Sequence, residues 1–258
     1  MLAAVGAVLS LTAPASVPSA PASLAAAEKA AAAAVAVQEA LAESAAELQA
    51  RLEREVVLYP TLVPPSPRCA HDAAGFERDP ATVRLTFDDG PGSLTEQILD
   101  VLADRCVHAT FYVIGAQVEQ HPQALRRILD EGHTLGNHSL THPDLRRLSR
   151  DEVRHELART QDLIEQATGY RPSAFRPPFG AVNGTVREVA AELGLSVDLW
   201  TVDPRDWSSR SSAQSVHDVV VGEARPGGTV LLHVQHQRTL DALPGIIDAL
   251  RERGLTVG

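Results

Sequence analysis

Two hydrophobic patterns divide the chain. Residues 23–58 are rich in Ala, Glu and Leu and contain neither Gly nor Pro, a composition with strong intrinsic helix preference. Leu41, Ala45, Leu48, Leu52 and Val56 recur at spacings of three or four, while Glu39, Glu43 and Glu47 lie on another face. This narrow apolar stripe predicts a helical stalk or a weak coiled coil. Further on the period changes. Val83, Leu85 and Phe87 alternate with Arg84 and Thr86, a strand pattern that runs into Asp88-Asp89 and stops at Gly90-Pro91. Strand patterns at 83–87, 110–114, 134–136, 174–176, 196–202, 229–233 and 255–257 then alternate with helical ones at 94–104, 122–131, 151–167, 185–193, 213–223 and 240–253. The alternation predicts an α/β fold with about seven parallel strands wrapped by helices, and this number of units suits a barrel. Periodicity alone does not distinguish closure from an open doubly wound sheet.

The ends of the first region add an organisation. Residues 2–11 are apolar and are followed by Ala13-Pro14-Ala15 and Ala20-Pro21-Ala22, so residues 1–22 look like a secretory signal peptide. The first charge is Glu28 and no Lys or Arg precedes the run, which leaves a low-complexity tail as the alternative. The run is too short to span a bilayer. Pro60, Pro64, Pro65 and Pro67 make residues 59–79 a stiff linker, and the folded domain is expected over 80–258. Of the 258 residues 44% are hydrophobic, enough for an ordinary core, and 33 acidic against 23 basic residues give a net charge of -10. Such a balance argues against nucleic acid as a partner. Cys69 and Cys106 are too few for a disulfide framework, but they allow one bridge if the chain is exported. Two buried thiols are the other reading.

Chemistry-bearing residues fall at the strand ends. Asp88 and Asp89 end the first strand pattern, His138 and His142 follow the third, and Arg176 ends the fourth. Asp203, Asp206 and Trp207 follow the fifth, and His233 ends the sixth. Taken singly, each has a plain structural reading: an Asp-Gly turn, surface histidines, a salt-bridge arginine, a core tryptophan. In a parallel barrel, however, all strand C-termini open on one face, so topology alone would gather these groups at one site. His138 and His142 lack the Glu after the first His that marks a zincin. With a carboxylate from the first strand they make a three-ligand set with open positions, suited to catalytic zinc or to non-haem iron.

The sequences TFDDGP (86–91), HSLTH (138–142), RPPFG (176–180), DPRDW (203–207) and LLH (231–233) resemble, in order, the five motifs of the polysaccharide deacetylases related to the chitooligosaccharide deacetylase of nodulation, carbohydrate esterase family 4. The resemblance covers about 80–257. It implies a distorted, incomplete (β/α) barrel that removes acetyl groups from N-acetylated sugars of peptidoglycan, chitin or a related glycan; the signal-like start and Pro-rich linker separately predict a secreted or cell-surface protein. The resemblance also implies one divalent metal ion, usually zinc, held by Asp89, His138 and His142. Asp88 would be the general base, held by Arg176, and His233 the general acid, supported by Asp206 in preference to Asp203. Phe179, with its backbone N–H, and Trp207 would meet the substrate. Val234 stands where many relatives carry Asp, and the loop 235–238 is unusual. A glycan-binding pseudoenzyme and an iron oxygenase are the competing readings.

Overall fold

The computed structural model describes residues 81–258. The expected signal-like start, helical stalk and linker, and Cys69 with them, lie outside the described residues. Within the described part the alternating pattern becomes β1 (Arg84–Gly90), α1 (Thr95–Asp104), β2 (Thr110–Val113), α2 (Pro122–Asp130), β3 (Thr134–Asn137), α3 (Arg150–Thr168), β4 (Ala174–Phe175), α4 (Gly184–Glu192), β5 (Ser196–Val197), α5 (Ala213–Glu223), β6 (Thr229–His233) and α6 (Gln237–Glu252). All neighbouring strands are parallel, in the order β5-β4-β3-β2-β1-β6.

The sheet curls into an incomplete barrel, and the chain past β5 makes the closing contact. Val202 pairs in parallel with Val230, and the N–H groups of Thr201 and Val202 donate to Thr229 O at 2.9 and 3.1 Å. One segment therefore serves β4 at its start and β6 at its end. That double duty bends it, so the strand expected over 196–202 is regular only at Ser196–Val197. The seventh strand is likewise reduced to a single bridge, Val257 with Val83, and the count is six strands.

Strand alternation divides the side chains between two environments. Val83, Leu85, Phe87, Phe111, Val113, Leu135, Val230 and Leu232 join Ile98, Leu99 and Leu102 of α1 and Leu243, Ile246, Ile247 and Leu250 of α6 in the main core. Phe87 and Phe111, register partners on β1 and β2, stack at 5.1 Å. Burial of each such ring contributes about 1.5–3 kcal/mol. The alternate row of β1, Arg84, Thr86 and Asp88, makes polar contacts instead: Arg84 Nη2 donates to Thr229 Oγ1 at 2.6 Å and Thr86 Oγ1 to Val230 O at 2.6 Å. A second core of Leu145, Val153, Leu157, Phe175, Val186, Val189, Ala190 and Leu195 seats α3 and α4. Helix α3 starts on a capping box, in which Ser149 Oγ accepts from Glu152 N and the Glu152 carboxylate from Ser149 N.

Candidate active site

Successive side chains of a regular strand point to opposite faces, which would separate Asp88 from Asp89. Two features prevent that. The β1–β2 register shifts between Phe87 and Gly90, and Asp89 adopts a left-handed backbone, φ 66°. The bulge re-aims the Asp89 carboxylate, as bulges beside active sites do. His138 Nε2 consequently lies 3.7 Å from Asp88 Oδ2 and 3.5 Å from Asp89 Oδ1, and His142 Nε2 lies 3.3 Å from the same Asp89 oxygen. His142 and Phe179 are also left-handed, both with φ 59°, and their rings meet edge to face at 4.7 Å. Backbone strain of about 1–3 kcal/mol at each of these residues is thus concentrated around one point.

The two histidines stand on a loop rather than a helical turn, and the protein holds that loop closely. His138 Nδ1 donates to Arg176 O at 2.7 Å. A carbonyl can only accept, so Nδ1 carries a proton and Nε2 is the ring atom that faces Asp89. Glu156, buried on α3, accepts from Leu140 N, Thr141 N and Thr141 Oγ1 at 2.8, 2.9 and 2.7 Å. Ser139 N donates to Asn137 Oδ1, His142 N to Ser139 Oγ, and Asn137 Nδ2 to Leu157 O. Glu156 was not among the residues singled out in the sequence. Its signal there is an acid inside the apolar stripe Val153, Leu157, Thr160, Ile164 of α3.

Ligand atoms of Asp89, His138 and His142 all lie within 4.8 Å of one another. Asp89 Oδ1 is buried without a hydrogen-bond partner, a costly state for an anionic oxygen unless a cation completes it. Burial works against ionisation of Asp89, but the imidazoles of His138, His233 and His142 outweigh it and hold its pKa below the usual carboxylate value. Burial, then repulsion from His138, keeps His142 below the usual imidazole value despite Asp89 and Asp88. A carboxylate and two imidazoles whose Nε2 atoms converge on it fit a divalent ion.

Behind this set lies a fully buried ion pair. Arg176 Nη1 donates to Asp88 Oδ1 at 2.8 Å and to Thr86 Oγ1 at 2.7 Å, and Nη2 to Leu199 O at 3.3 Å. Removing one partner of such a pair costs about 3–5 kcal/mol, because the other is left charged and unpaired. His233 is the register partner of Asp88 on β6. Its Nδ1 is 2.7 Å from Asp206 Oδ1, and its backbone N–H donates to Asp206 Oδ2 at 2.8 Å. Thr239 Oγ1 donates to the same oxygen at 2.6 Å, and Asp206 is fully buried. Asp203 instead accepts from Arg205 N in a local turn, so Asp206 is the carboxylate on His233. Burial opposes the charged imidazole, but Asp206, and beyond it Asp88 and Asp89, raise the His233 pKa above the ordinary histidine value. Phe179 and Trp207, 69% and 52% exposed, are large apolar groups left open to solvent.

The profile of the polysaccharide deacetylase family matches residues 76–197. The chain is 43% identical over 173 residues to the peptidoglycan-N-acetylmuramic acid deacetylase PdaC of Bacillus subtilis, an alignment covering 67% of this chain and 36% of that protein. It therefore spans about a third of that relative's length. It is 39% identical over 201 residues to a chitooligosaccharide deacetylase of Rhizobium leguminosarum bv. trifolii, covering 72% of this chain and 92% of that one. The solved structure of the Bacillus subtilis peptidoglycan deacetylase superposes with a TM-score of 0.65 at 42% identity, covering 69% of this chain and 89% of that structure. With the five motifs gathered at one end of the barrel, these similarities establish that the chain belongs to the polysaccharide deacetylases of carbohydrate esterase family 4.

Proposed function

We propose that this chain is a metal-dependent hydrolase that removes N-acetyl groups from the amino sugars of a cell-wall or related glycan, peptidoglycan and chitooligosaccharide being the substrate types named for its relatives. One observation carries the reading: the Asp89, His138 and His142 ligand set lies between a carboxylate pinned by a buried arginine, Asp88, and an imidazole pinned by a buried carboxylate, His233. Zinc suits these donors. When bound, the ion would lower the pKa of water and polarise the acetyl carbonyl.

The other steps belong to the protein. Arg176 occupies Asp88 Oδ1 and leaves Oδ2 directed at the site, 3.7 Å from His138 Nε2. That oxygen takes the proton of the attacking water. The backbone N–H of Phe179 is assigned to the carbonyl oxygen as negative charge develops there. The C–N bond breaks only if the departing nitrogen is protonated, and His233 Nε2 delivers that proton while Asp206 fixes Nδ1. Acetate and a free amine result. Phe179 and Trp207, exposed and apolar, are assigned to sugar rings. Base, ligands and acid are all present, which counts against a pseudoenzyme that only binds glycan. A route to the exterior through residues 1–22 belongs to the same proposal. The test is mass spectrometry of N-acetylglucosamine oligomers and of peptidoglycan, chitin and xylan fragments: acetyl loss is expected, unchanged mass would indicate a binding protein, and added oxygen an oxygenase.

A further inference from the structure

Hydrogen bonds alone do not fix the buried arginine of the site. Arg176 Nη1 is anchored twice and Nη2 once, at 3.3 Å, whereas Nε is buried with no partner. Bonds in the guanidinium plane resist sliding but not tilting about the Nη1 anchor. Two aromatic rings meet the group: its central carbon lies over the Tyr112 ring, 4.1 Å from the centroid, and over that of Trp200 at 5.7 Å. Arginine stacks well on such rings.

Each ring is in turn seated on a glycine. Tyr112 on β2 is the register partner of Gly136 on β3, and a Cβ at 136 would lie 2.4 Å from the Tyr112 ring. The absence of a side chain there lets the ring lie across β3 towards Arg176, which follows β4. Trp200 is seated likewise, since a Cβ on Gly180 would come within 2.9 Å of its ring. The Tyr112 hydroxyl donates to Asp198 Oδ2 at 2.7 Å. Below lies a cavity of about 170 Å³, lined by Thr86, Thr110, Tyr112, Thr134, Asp198 and Thr229 among others, with room for several waters. Packing from that side is incomplete, so the Asp198 tether and the Gly136 seat are what fix the ring.

We propose that Tyr112, tied to Asp198 and seated on Gly136, is a positioning residue for the reaction: its ring sets the plane of Arg176 and, through Arg176, the direction of Asp88 Oδ2. The role rests on the reading of Asp88 as the base. Displacements near 1 Å can cost about a hundredfold in turnover. Tyr112→Leu, which removes the ring, is therefore expected to lower kcat roughly tenfold to a hundredfold with KM and bound metal within about twofold of the parent. Tyr112→Phe keeps the ring but cuts its tether, so it recovers only part of that loss and leaves kcat about threefold to tenfold below the parent. Asp198→Ala should match Tyr112→Phe, and the double variant should be no worse than either, because both cut one tether. Asp198 is only half-buried, so its variant decides the matter if Tyr112→Leu does not fold. Parent kcat in both Tyr112→Leu and Asp198→Ala would overturn this role alone. A rise in KM or a loss of metal without a drop in kcat would overturn it as well. A parent chain without turnover would bring down the deacetylase reading and this role together.

Discussion

Two adjacent carboxylates have different partners, and substitutions should separate them. Asp88 accepts a hydrogen bond from Arg176, while the Asp89 carboxylate faces the His138 and His142 imidazoles and has an oxygen without a hydrogen-bond partner among the described residues. Asp88→Asn is expected to retain the metal, measured by elemental analysis after gel filtration, and to lose about a hundredfold to ten-thousandfold in turnover. Asp89→Ala and His142→Ala should come off the column depleted of metal. Metal loss in the Asn variant would mean that Asp88 is a ligand. The acid has its own test. A raised pKa keeps His233 protonated to higher pH, and turnover falls as pH climbs through that value. Asp206→Asn removes the main group that raises it, so the alkaline limb of kcat/KM should move to lower pH. An unmoved limb would assign it to another group. His236, whose ring centre is 5.9 Å from that of His233, has its pKa lowered chiefly by burial. His236→Ala should cost far less than His233→Ala, and the His233 loss should be smaller on an aryl acetate ester, whose leaving group needs no proton.

Among the elements, the loop between β3 and α3 bears the most. Glu156 closes three of its hydrogen bonds from a helix that also carries Val153 and Leu157 into the core. Glu156→Ala strands two backbone N–H groups, at about 1–3 kcal/mol each where they stay buried. A lower melting temperature is expected, with metal affinity weakened about tenfold to a hundredfold, since such supporting groups orient the ligands. Unchanged affinity by metal titration would show that the loop holds without it. This element also marks the reach of the sequence. The alternation of Val83, Leu85 and Phe87 with Arg84 and Thr86 was legible because one face packs on helices and the other does not. The convergence of Asp88, Asp89, His138, Arg176, Asp206 and His233 followed from parallel topology. The bulge at Asp89 and the His138 tautomer were not legible, because they depend on Gly90 pairing with Val113 and on the Arg176 carbonyl. Nor was the shortening of β5, which arises from pairing with two strands far apart in sequence. Tyr112 and Trp200 carry no sequence signal for their place beside Arg176, which depends on contacts between elements far apart in the chain.

For the whole molecule, the barrel presents its chemistry on one face while the described residues include no helix long and apolar enough to cross a membrane. Cys106 is not a free thiol, and Cys69, the other cysteine of the sequence, lies outside the described residues. If the chain is exported, thiol titration of protein isolated from the cell exterior should find no free thiol before reduction and two after it. Two free thiols in the native protein would contradict the bridge. Deacetylation is expected to depend on an ion held by Asp89, His138 and His142. The most direct test is acetyl release from an N-acetylglucosamine oligomer, measured on the same preparation as purified, after verified metal removal, and after adding back zinc. Turnover, its loss, and its return in step with about one bound ion per chain are the expected results. Full turnover by the verified metal-free protein would contradict that dependence.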